Sequence, residues 1–438
     1  MLCRVGAGTP MGELVRQYWI PAALSSDLAG PDSEPCRIKL MGEALVAFRD
    51  STGQVGLVQN HCPHRGASLF FGRNEESGLR CVYHGWKFDT RGNCVDMPNE
   101  PAESDFKSRV RARAYPCVER AGVIWTYLGS ANPPPPLPDL EWAVVPDDQR
   151  YVSVRVQECN WVQALEGAID ASHSNFLHSS LKSKGAPAAL FGDMNRGAEY
   201  RDRDPHPHFE TLAHPHGVLV AARRDAEPDT YYWRINQFLM PFYTIFPPTG
   251  GDPPCSGHMW VPIDDDTTLV WHFTYHPRRP LSEPELQAMR YGRNGRDAFH
   301  AALDRFSPPL AEAYGGLHPD RATSNDFLLD RQLQRTRQFF GVVGGWAQDA
   351  AVQESMGSIY ARWQEHLGSS DVGIIAVRRY LIDAARACVE HRAAAPGAAD
   401  ARGYFARPAA LVLARDARWM EAAREALKGH LGESLVVV

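Results

Sequence analysis

The stretch that decides the fold is NHCPHRGASLFFGRNEESGLRCVYHGWKFD, residues 60–89. It contains two cysteines and two histidines in two short groups: Cys62 with His64, and Cys81 with His84. Sixteen residues separate the groups. Each group offers one thiolate and one imidazole, so the four side chains can form a single metal site. Tetrahedral zinc accepts such a set, and so does a [2Fe–2S] cluster with two cysteines on one iron and two histidines on the other.

The spacing favours the cluster over zinc. Zinc fingers pair cysteine with cysteine in one turn and histidine with histidine on a helix, whereas each group here mixes the two. Gly66 and Gly85 follow the two groups and let the backbone approach the sulfurs. The stretch resembles the Rieske motif, and the segments CPHRGA and YHGWKFD are the most typical of that motif. The resemblance implies a [2Fe–2S] cluster, and a structural zinc site is the alternative.

Composition narrows the class of protein. The chain has 438 residues, of which 44% are hydrophobic and 22% charged, and its net charge is −6. Length alone predicts two domains. An acidic chain of this kind argues against a nucleic-acid or anionic-membrane surface as its main partner. We find neither an apolar run long enough to cross a bilayer nor a signal peptide, and we expect a cytoplasmic protein with reduced thiols.

Hydrophobic periodicity divides the chain into two folding units. Short alternating runs with turn signals predict a small antiparallel β domain within residues 36–129, and the proline-rich SANPPPPLPDL, residues 130–140, predicts a stiff connector. Strands are expected at 151–157 and within 217–276. Helices are expected at 160–178, 284–303, 350–366, 372–393 and 408–428. The fold class is therefore α+β: a small antiparallel β domain plus a larger domain whose antiparallel sheet is covered by helices. We assign residues 1–25 to an N-terminal helical lead packing on the larger domain, 26–130 to the small domain and 131–438 to the larger one.

A second group of metal-binding residue types lies in NWVQALEGAIDASHSNFLHSS, residues 160–180. Asp170, His173 and His178 form a D-x-x-H-x-x-x-x-H pattern. Two imidazoles and one carboxylate with open positions are the facial triad of non-heme Fe(II) oxygenases. Because His178 is five residues past His173, the helix must bulge or end near Asn175 to bring both rings to one ion. Without context, two packed or solvated histidines would be the plainer interpretation.

Together the two motifs resemble the catalytic α subunit of the Rieske non-heme iron oxygenases, and the resemblance spans nearly the whole chain. It implies a mononuclear Fe(II) held by His173, His178 and a carboxylate far downstream. In SNDFLLDRQLQR, residues 324–335, we take Asp326 as that ligand. Asp330, one turn further and beside Arg331, is the alternative, and an ion pair or a helix cap is the better role for it.

The resemblance gives Asp170 a different function. In this family the short path for electrons runs between neighbouring subunits of a head-to-tail trimer, and the matching aspartate bridges a cluster histidine to an iron histidine. Here it would link His84 of one chain to His173 of the next. Several family members carry an asparagine three residues before this aspartate. Gly167 occupies that position in this chain, which puts any role of such an asparagine in doubt.

Longer stretches are most similar to the phthalate 4,5-dioxygenase group, notably GTPMGELVRQYWIPAAL and QDAAVQESMGSIYARWQEHLGSSDVGIIAVRRYL. This resemblance implies a homotrimer or hexamer of α subunits acting on an aromatic acid such as a phthalate, with O2 as the second substrate. Aryl ether cleavage and O-demethylation are alternatives. An aromatic carboxylate needs a cation in the pocket, ideally a bidentate arginine. Arg234 is our candidate, and Arg223 is a second one.

The electrons must come from another protein. No G-x-G-x-x-G follows a predicted strand, and no ferredoxin-type run of cysteines is present. We therefore expect a separate reductase that carries a flavin and its own iron–sulfur centre. Two functions from other classes stay open at this point: a non-catalytic Rieske electron carrier and a zinc-stabilised binding module.

Overall fold

The structure is a computed structural model, and it describes residues 1–101, 103–181, 196–248, 252–291 and 322–433. Within these ranges the strands form four sheets, and every strand pair is antiparallel. No helix in the described ranges is long and apolar enough to cross a membrane.

The N-terminal segment connects the two halves of the chain. Helix α1 (Pro10–Val15) starts at Thr9, whose side chain accepts a hydrogen bond from the backbone N–H of Gly12. Proline at the first helical position suits this start because its missing N–H has no partner there anyway. Strand β1 (Trp19–Leu24) then joins the small domain, where it forms one edge of a three-stranded sheet.

The small domain is built from three sheets. The first has the order β1–β11–β10, the second β2–β3–β4–β9 and the third β5–β6–β7–β8. The third sheet supports the cysteine and histidine loops. The loop with Cys62 and His64 precedes its strand β5, and the loop with Cys81 and His84 connects its strands β6 and β7. The strands are β2 (Cys36–Leu40), β3 (Glu43–Arg49), β4 (Val55–Gln59), β5 (Arg73–Glu75), β6 (Gly78–Arg80), β7 (Lys87–Phe88), β8 (Cys94–Asp96), β9 (Ala114–Tyr115), β10 (Cys117–Arg120) and β11 (Val123–Tyr127).

The larger domain is organised around one eight-stranded sheet with the order β12–β18–β17–β16–β15–β14–β13. The ten-residue strand β15 has two neighbours on one side: β19 pairs with its first half and β16 with its last three residues. The strands are β12 (Arg150–Gln157), β13 (His208–His214), β14 (Gly217–Asp225), β15 (Thr230–Leu239), β16 (Tyr243–Phe246), β17 (Cys255–Pro262), β18 (Thr268–Tyr275) and β19 (Ala409–Ala414).

Helices cover this sheet, which confirms the predicted α+β class. The nine-residue α3 packs on β15, β16 and β17 and against α7, while α8 contacts β13, β14 and the N-terminal α1. The helices are α2 (Glu141–Val144), α3 (Trp161–Ile169), α4 (Arg196–Arg203), α5 (Glu283–Tyr291), α6 (Arg331–Thr336), α7 (Gly345–Ser355), α8 (Val372–His391) and α9 (Trp419–Ala422).

Two helix predictions need correction, and a third is tested only in part. Residues 408–428 are not one helix, because the apolar run ALVLA adds β19 to the sheet and only α9 follows. A short apolar run fits a strand as well as a helix, and the free edge of β15 decides between them. Helix α7 starts earlier than predicted and ends before Gly357, whose φ of 85° is left-handed. Of the helix predicted at 284–303, α5 covers the first part, and residues 292–303 lie outside the described residues.

A buried ion pair joins the first residue of α2 to the segment just before β19. The side chains of Glu141 and Arg407 are 1% and 3% exposed, and the guanidinium donates two hydrogen bonds of 2.7 and 2.6 Å to the carboxylate. Tyr275 donates its hydroxyl to the same carboxylate at 2.8 Å, and the backbone N–H of His430 donates at 3.0 Å. Each carboxylate oxygen thus has two donors, which compensates for removing the charge from water.

Replacing Glu141 by alanine should lower the free energy of unfolding by about 3–5 kcal/mol, because Arg407 would stay buried without its counter-charge. Denaturant titration followed by tryptophan fluorescence measures this loss. The matched control is Glu421→Ala, which removes one partner of the exposed Arg418–Glu421 pair and should cost at most about 1 kcal/mol. Equal effects of the two substitutions would contradict the interpretation.

Candidate functional site

The two cysteine and histidine loops have the same geometry. In each, a glycine N–H donates to the cysteine carbonyl four positions earlier: Gly66 to Cys62 at 2.9 Å and Gly85 to Cys81 at 3.0 Å. Both glycines have positive φ, 77° and 78°. This conformation strains a residue with a Cβ, and at Gly85 a Cβ would also lie 2.6 Å from Pro98. The glycines therefore allow each loop to turn tightly after its cysteine and histidine, so that the four side chains can approach one another.

The donor atoms of the loops fit a [2Fe–2S] cluster. Cys62 and Cys81 are buried, at 3% and 2% exposure, and the rings of His64 and His84 face each other with centroids 4.4 Å apart. The Nδ1 atoms of both histidines are buried and accept or donate no hydrogen bond within the described residues. Burial raises the pKa of the Cys62 thiol to about 11. A metal that binds there must therefore displace a proton.

Aromatic side chains surround the histidines. Trp86 stacks on His64 with centroids 4.3 Å apart and an interplanar angle of 14°. Its indole N–H donates to Asn99 at 2.7 Å, which fixes the ring. On the other side the ring of Tyr83, 56% exposed, lies 3.9 Å from that of His84. The cluster site is thus close to the surface, with one histidine covered by a buried ring and the other by an exposed ring.

A second group of donor atoms lies where α3 ends. The Nε2 atoms of His173 and His178 are 3.2 Å apart. Asp349 on α7 places Oδ1 at 3.5 Å from the first and 3.3 Å from the second. The three residues form the one group of metal-ligating side chains of this kind found in the described part of the chain. Two imidazoles and one carboxylate that converge in this way fit an Fe(II) of the facial-triad type.

Neighbouring side chains orient both imidazoles. His178 points Nδ1 at Oε1 of Gln348, 2.7 Å away, and the amide nitrogen of Gln348 donates to the carbonyl of Val342 at 2.8 Å. Because this amide oxygen can only accept, Nδ1 of His178 carries the proton and Nε2 is left with its lone pair. Asp170 lies 3.4 Å from Nδ1 of His173 and has the same effect on that ring. Such outer partners hold histidine ligands in the tautomer that a metal requires.

The charges of this site shift the pKa values of two of its side chains, Asp170 and His173. Burial raises the pKa of Asp170, but its bond to His173, the charge of that ring and hydrogen bonds from Ser172 together lower it below the ordinary value. Burial lowers the pKa of His173, while Asp170 and Asp349 raise it, and the net direction is upward. Without a metal, the site therefore attracts a positive charge, which a divalent cation can supply.

The carboxylate beside the histidines is Asp349, where the sequence analysis expected Asp326. Asp326 is exposed and lies in a turn in which it and the next two residues all have positive φ. Phe327 enters the core formed with Trp346, Ala347 and Ala350, so the neighbouring Asp326 points the other way. Asp330 caps α6 by accepting from the backbone N–H groups of residues 332 and 333, at 2.7 and 2.9 Å. This cap is the role that the sequence analysis gave to Asp330.

Sequence reasoning missed Gln348 and Asp349. Both lie in GWAQDAAVQES, where two polar residues interrupt an alanine-rich helix. Aspartate is a poor residue for a helix interior because its side chain competes for backbone hydrogen bonds. An aspartate inside a helix that is otherwise well suited to packing was a signal that could have been used.

The structure also explains Gly167. A Cβ at this position would lie 2.2 Å from the amide nitrogen of Gln353 on α7. That amide accepts from the side chain of Gln157 at 2.5 Å, and the carbonyl of Gln353 accepts from Gln163 at 3.3 Å. An asparagine side chain at 167 would therefore displace the amide of Gln353 from this position.

Arg234 lies on the face of the sheet that carries this second site. Its neighbour across the strands is Ala222, and Arg224 pairs with Tyr232 on the same face. Arg224 is 1% exposed and donates to the carbonyl of Ala171 at 3.0 Å, so it holds the turn that carries His173. Arg223 points to the other face, where its guanidinium stacks on the ring of Tyr231 at 4.3 Å.

Three arginines on this side of the sheet face one another. Burial, and to a smaller extent the positive charges of neighbouring arginines, lower the pKa of both Arg201 and Arg224 to about 10; the neighbour is Arg234 for the first, and Arg201 and Arg234 for the second. The three side chains retain buried N–H groups that have no partner in the described part of the chain: Nε of Arg201, Nη1 of Arg224 and Nη1 of Arg234. Buried donors without partners are costly, so this cluster favours an anion.

Comparison with protein families places both sites in a known context. Residues 18–116 match the Rieske [2Fe-2S] domain family, and residues 126–419 match the family described as LigXa C-terminal domain like. The chain is 39% identical over 424 residues to the oxygenase subunit of 3-chlorobenzoate-3,4-dioxygenase from Comamonas testosteroni, covering 92% of this chain and 91% of that protein. It is 35% identical to the phthalate 4,5-dioxygenase oxygenase subunit of Pseudomonas putida, covering 88% and 84%.

One more relative and two solved structures agree with these family matches. The 5,5'-dehydrodivanillate O-demethylase oxygenase subunit of a Sphingobium species is 31% identical, covering 87% of this chain and 78% of that protein. Among solved structures, dicamba monooxygenase bound to dicamba has a TM-score of 0.56 and 18% identity, and covers 86% of this chain and 99% of that one. Pseudomonas putida CBB5 NdmA has a TM-score of 0.55 and 19% identity, covering 94% and 99%. At these identities the two structures support the fold.

Replacing Cys81 by serine should abolish the visible chromophore of the purified protein, because the cluster requires this thiolate. Absorption and the electron resonance of the reduced protein are the measurements. Cys94→Ser is the matched control, since Cys94 is a buried cysteine of the same core whose Sγ contacts the carbonyl of Asp96. A Cys81→Ser protein that keeps its spectrum would contradict the cluster assignment.

Replacing Asp349 by asparagine should reduce the iron content from about three to about two atoms per chain, because only the mononuclear site loses its charge. The cluster spectrum should stay unchanged. Asp326→Asn is the control and should retain all the iron. Iron analysis by emission spectroscopy distinguishes the two, and loss of iron in the Asp326 variant alone would restore the sequence-based assignment.

Proposed function

We propose, from the premise that this chain belongs to the Rieske oxygenases as an oxygenase subunit, that it inserts oxygen from O2 into an aromatic carboxylic acid. The electrons come from a separate NAD(P)H-dependent reductase with a flavin and an iron–sulfur centre. We place the system in the cytoplasm, where this reductant is available. The observation that carries the substrate class is the cluster of Arg201, Arg224 and Arg234 beside the candidate iron site, in which each side chain retains a buried N–H group without a partner in the described part of the chain.

We assign the ligands from the geometry above. Cys62, His64, Cys81 and His84 hold the [2Fe–2S] cluster. His173, His178 and Asp349 hold the mononuclear Fe(II), and three protein ligands leave positions open on the ion. When bound, the cluster supplies single electrons and the iron supplies the centre that activates O2.

The pocket above the sheet is suited to an acid. Arg234 has its Nη2 bonded to the carbonyl of Pro247, which holds the guanidinium in place and leaves Nη1 for a ligand. Arg201 and Arg224 add two more cations from α4 and β14. A planar guanidinium matches a carboxylate with two parallel hydrogen bonds. A carboxylate bound here would reduce the mutual repulsion of the three charges and give their free N–H groups acceptors.

The same face carries groups that position the rest of the ring. Arg155 stacks on Trp346 with its guanidinium carbon 4.1 Å from the ring centroid. His258 and His272 lie opposite each other on β17 and β18 with ring centroids 5.0 Å apart. Burial lowers the pKa of both histidines well below the ordinary value, so these rings are neutral. Neutral rings and apolar neighbours suit the uncharged part of an aromatic acid.

Two of the relatives support dioxygenation of an aromatic acid, and one supports O-demethylation. A product screen distinguishes these reactions. Benzoates, phthalates and a methoxybenzoate are supplied with reductase, NADH and O2, and the products are separated by chromatography. A dihydrodiol with two oxygen atoms from labelled O2 supports the proposed reaction. Formaldehyde from the methoxybenzoate supports O-demethylation, and absence of any oxidised product with all acids would refute the proposal.

Replacing Arg234 by glutamine should raise KM for the aromatic acid by about 10- to 100-fold, because one charged hydrogen-bond donor to the carboxylate is lost. The neutral methyl ester of the same acid should be affected far less, since it makes no ion pair. Steady-state kinetics and iron content are measured together. Arg223→Gln is the matched control on the opposite face and should change neither the KM for the acid nor the KM for the ester.

We also propose that Asp170 connects the two metal sites across a subunit boundary in a head-to-tail homotrimer, or in a hexamer of two such rings. Within a single chain, the observation that supports this proposal is the 3.4 Å contact between the Asp170 carboxylate and Nδ1 of His173. The side chain is 19% exposed, so it can be reached from outside. Ser172 donates to Oδ1 from its backbone and its hydroxyl, both at 2.7 Å, which holds the carboxylate in place.

Replacing Asp170 by asparagine should slow reoxidation of the pre-reduced cluster by about 10- to 100-fold, the usual effect of losing an outer partner of a metal-bound histidine. Iron content and oligomeric state should stay close to those of the parent protein. The measurement is a stopped-flow single turnover with substrate and O2. Near-normal reoxidation would mean that Asp170 only shapes the turn.

A further inference from the structure

A strip of basic side chains borders the cluster site. The segment FKSRVRAR, residues 106–113, contains four cations and no acid. Val110 and Ala112 point into the core of the small domain, whereas Lys107, Arg109 and Arg111 are exposed. Arg91 lies beside them, because the side chain of Arg111 donates to its carbonyl at 3.3 Å. We call Arg91, Lys107, Arg109 and Arg111 the basic strip.

The charge of the strip is not neutralised within the described residues. None of its four side chains forms an ion pair there, whereas the next basic residue, Arg113, pairs with Glu43 at 3.2 Å. Glu103 and Asp105 precede the strip in the sequence and are also exposed. The whole chain has a net charge of −6, so the strip is a local positive field on an acidic protein. Such a field attracts and orients an acidic protein over a distance set by the ionic strength.

An aromatic side chain at the start of the strip contacts the cluster site. Phe106 is 44% exposed, and its ring lies edge-on to Trp86 with centroids 6.0 Å apart. Trp86 in turn stacks on His64 at 4.3 Å. A protein bound on the strip would therefore touch a ring that is two contacts away from a cluster ligand. An exposed aromatic with cations around it has the composition of a protein-binding centre.

We propose that the basic strip and Phe106 form the docking surface for the electron donor, and that this donor is a small acidic one-electron carrier, such as an iron–sulfur protein or iron–sulfur domain. The inference rests on the proposed function, which requires an external donor. It goes further by locating the contact and giving the charge of the partner. The transfer is one electron from the reduced carrier to the oxidised cluster, with no bond made or broken. A partner that binds here must also cover the exposed ring of Phe106, which favours a protein surface with an apolar centre over a nucleic acid.

The test uses an acidic plant-type [2Fe–2S] ferredoxin as the probe and the cluster-loaded full chain. Binding is measured by thermophoresis at 20 and 200 mM NaCl, and cluster reduction by stopped flow. For the parent protein, the dissociation constant should rise by about tenfold at the higher salt. The triple variant K107E/R109E/R111E should bind at least about 30-fold more weakly at low salt and lose most of the salt dependence.

Matched variants separate the possible causes. Arg424→Glu reverses an exposed charge on the larger domain and should change binding less than about twofold. Phe106→Leu keeps the charges of the strip and should slow cluster reduction by the ferredoxin more than it weakens binding. Reduced methyl viologen, a small cation, should reduce the clusters of all variants at similar rates, which verifies that the cluster is intact.

Several results would overturn the docking proposal. They are unchanged ferredoxin binding in the triple variant, absence of ferredoxin binding or of its salt dependence in the parent protein, and loss of the parent oligomer in the triple variant, which would assign the strip to a contact between copies of this chain. Binding of a DNA duplex or of phosphatidylserine vesicles to the strip in preference to ferredoxin would also overturn it. Failure of the chemically reduced parent protein to oxidise any aromatic acid would refute the proposed reaction and leave the docking result standing.

Discussion

The end of α3 at Asp170 is the constraint on which the candidate iron site depends. Residues five apart on a straight helix point about 140° away from each other, so His173 and His178 could not meet on one. The chain leaves the helix at Asp170, with φ −74° and ψ 117°, and forms a short 3-10 turn at His173–Asn175. The carboxylate of Asp170 stabilises this turn and also orients the first histidine. One side chain therefore connects the backbone geometry to the chemistry of the site.

The third ligand requires correct packing between α3 and α7. The side-chain amide of Gln353 lies over Gly167, where it accepts from the amide of Gln157, and the backbone carbonyl of Gln353 accepts from the amide of Gln163 on α3. These hydrogen bonds connect β12, α3 and α7 and restrict how the two helices can shift relative to each other. Gln348 and Asp349 then reach His178 from adjacent positions of α7. The relative position of the three candidate ligands is thus determined by helix packing.

This arrangement explains what the sequence could predict. The cluster loops and the pair of histidines depend on residues close together in the chain, and their geometry agrees with the predicted roles. Asp349 is 171 positions from His178, and only the packing of α7 brings it near. The same holds for β19, whose apolar run becomes a strand because half of β15 has a free edge. The arginine cluster depends on strand register, which places Arg224 and Arg234 on one face and Arg223 on the other.

The arginine cluster also bears on the ligand preference that the proposed function requires. Burial and the charges of neighbouring arginines lower the pKa of Arg201 and Arg224, with Arg234 as one of those neighbours, so burial and mutual repulsion both disfavour the charged forms. A ligand carboxylate relieves both costs at once, whereas a neutral ring of the same shape relieves neither. A site built to bind a polar group rejects analogues that lack it more strongly than an apolar pocket rejects a change of one methylene. Arg224 also holds the turn of His173 through Ala171 and Asn175, so the arginine cluster and the histidine pair share one segment of the chain.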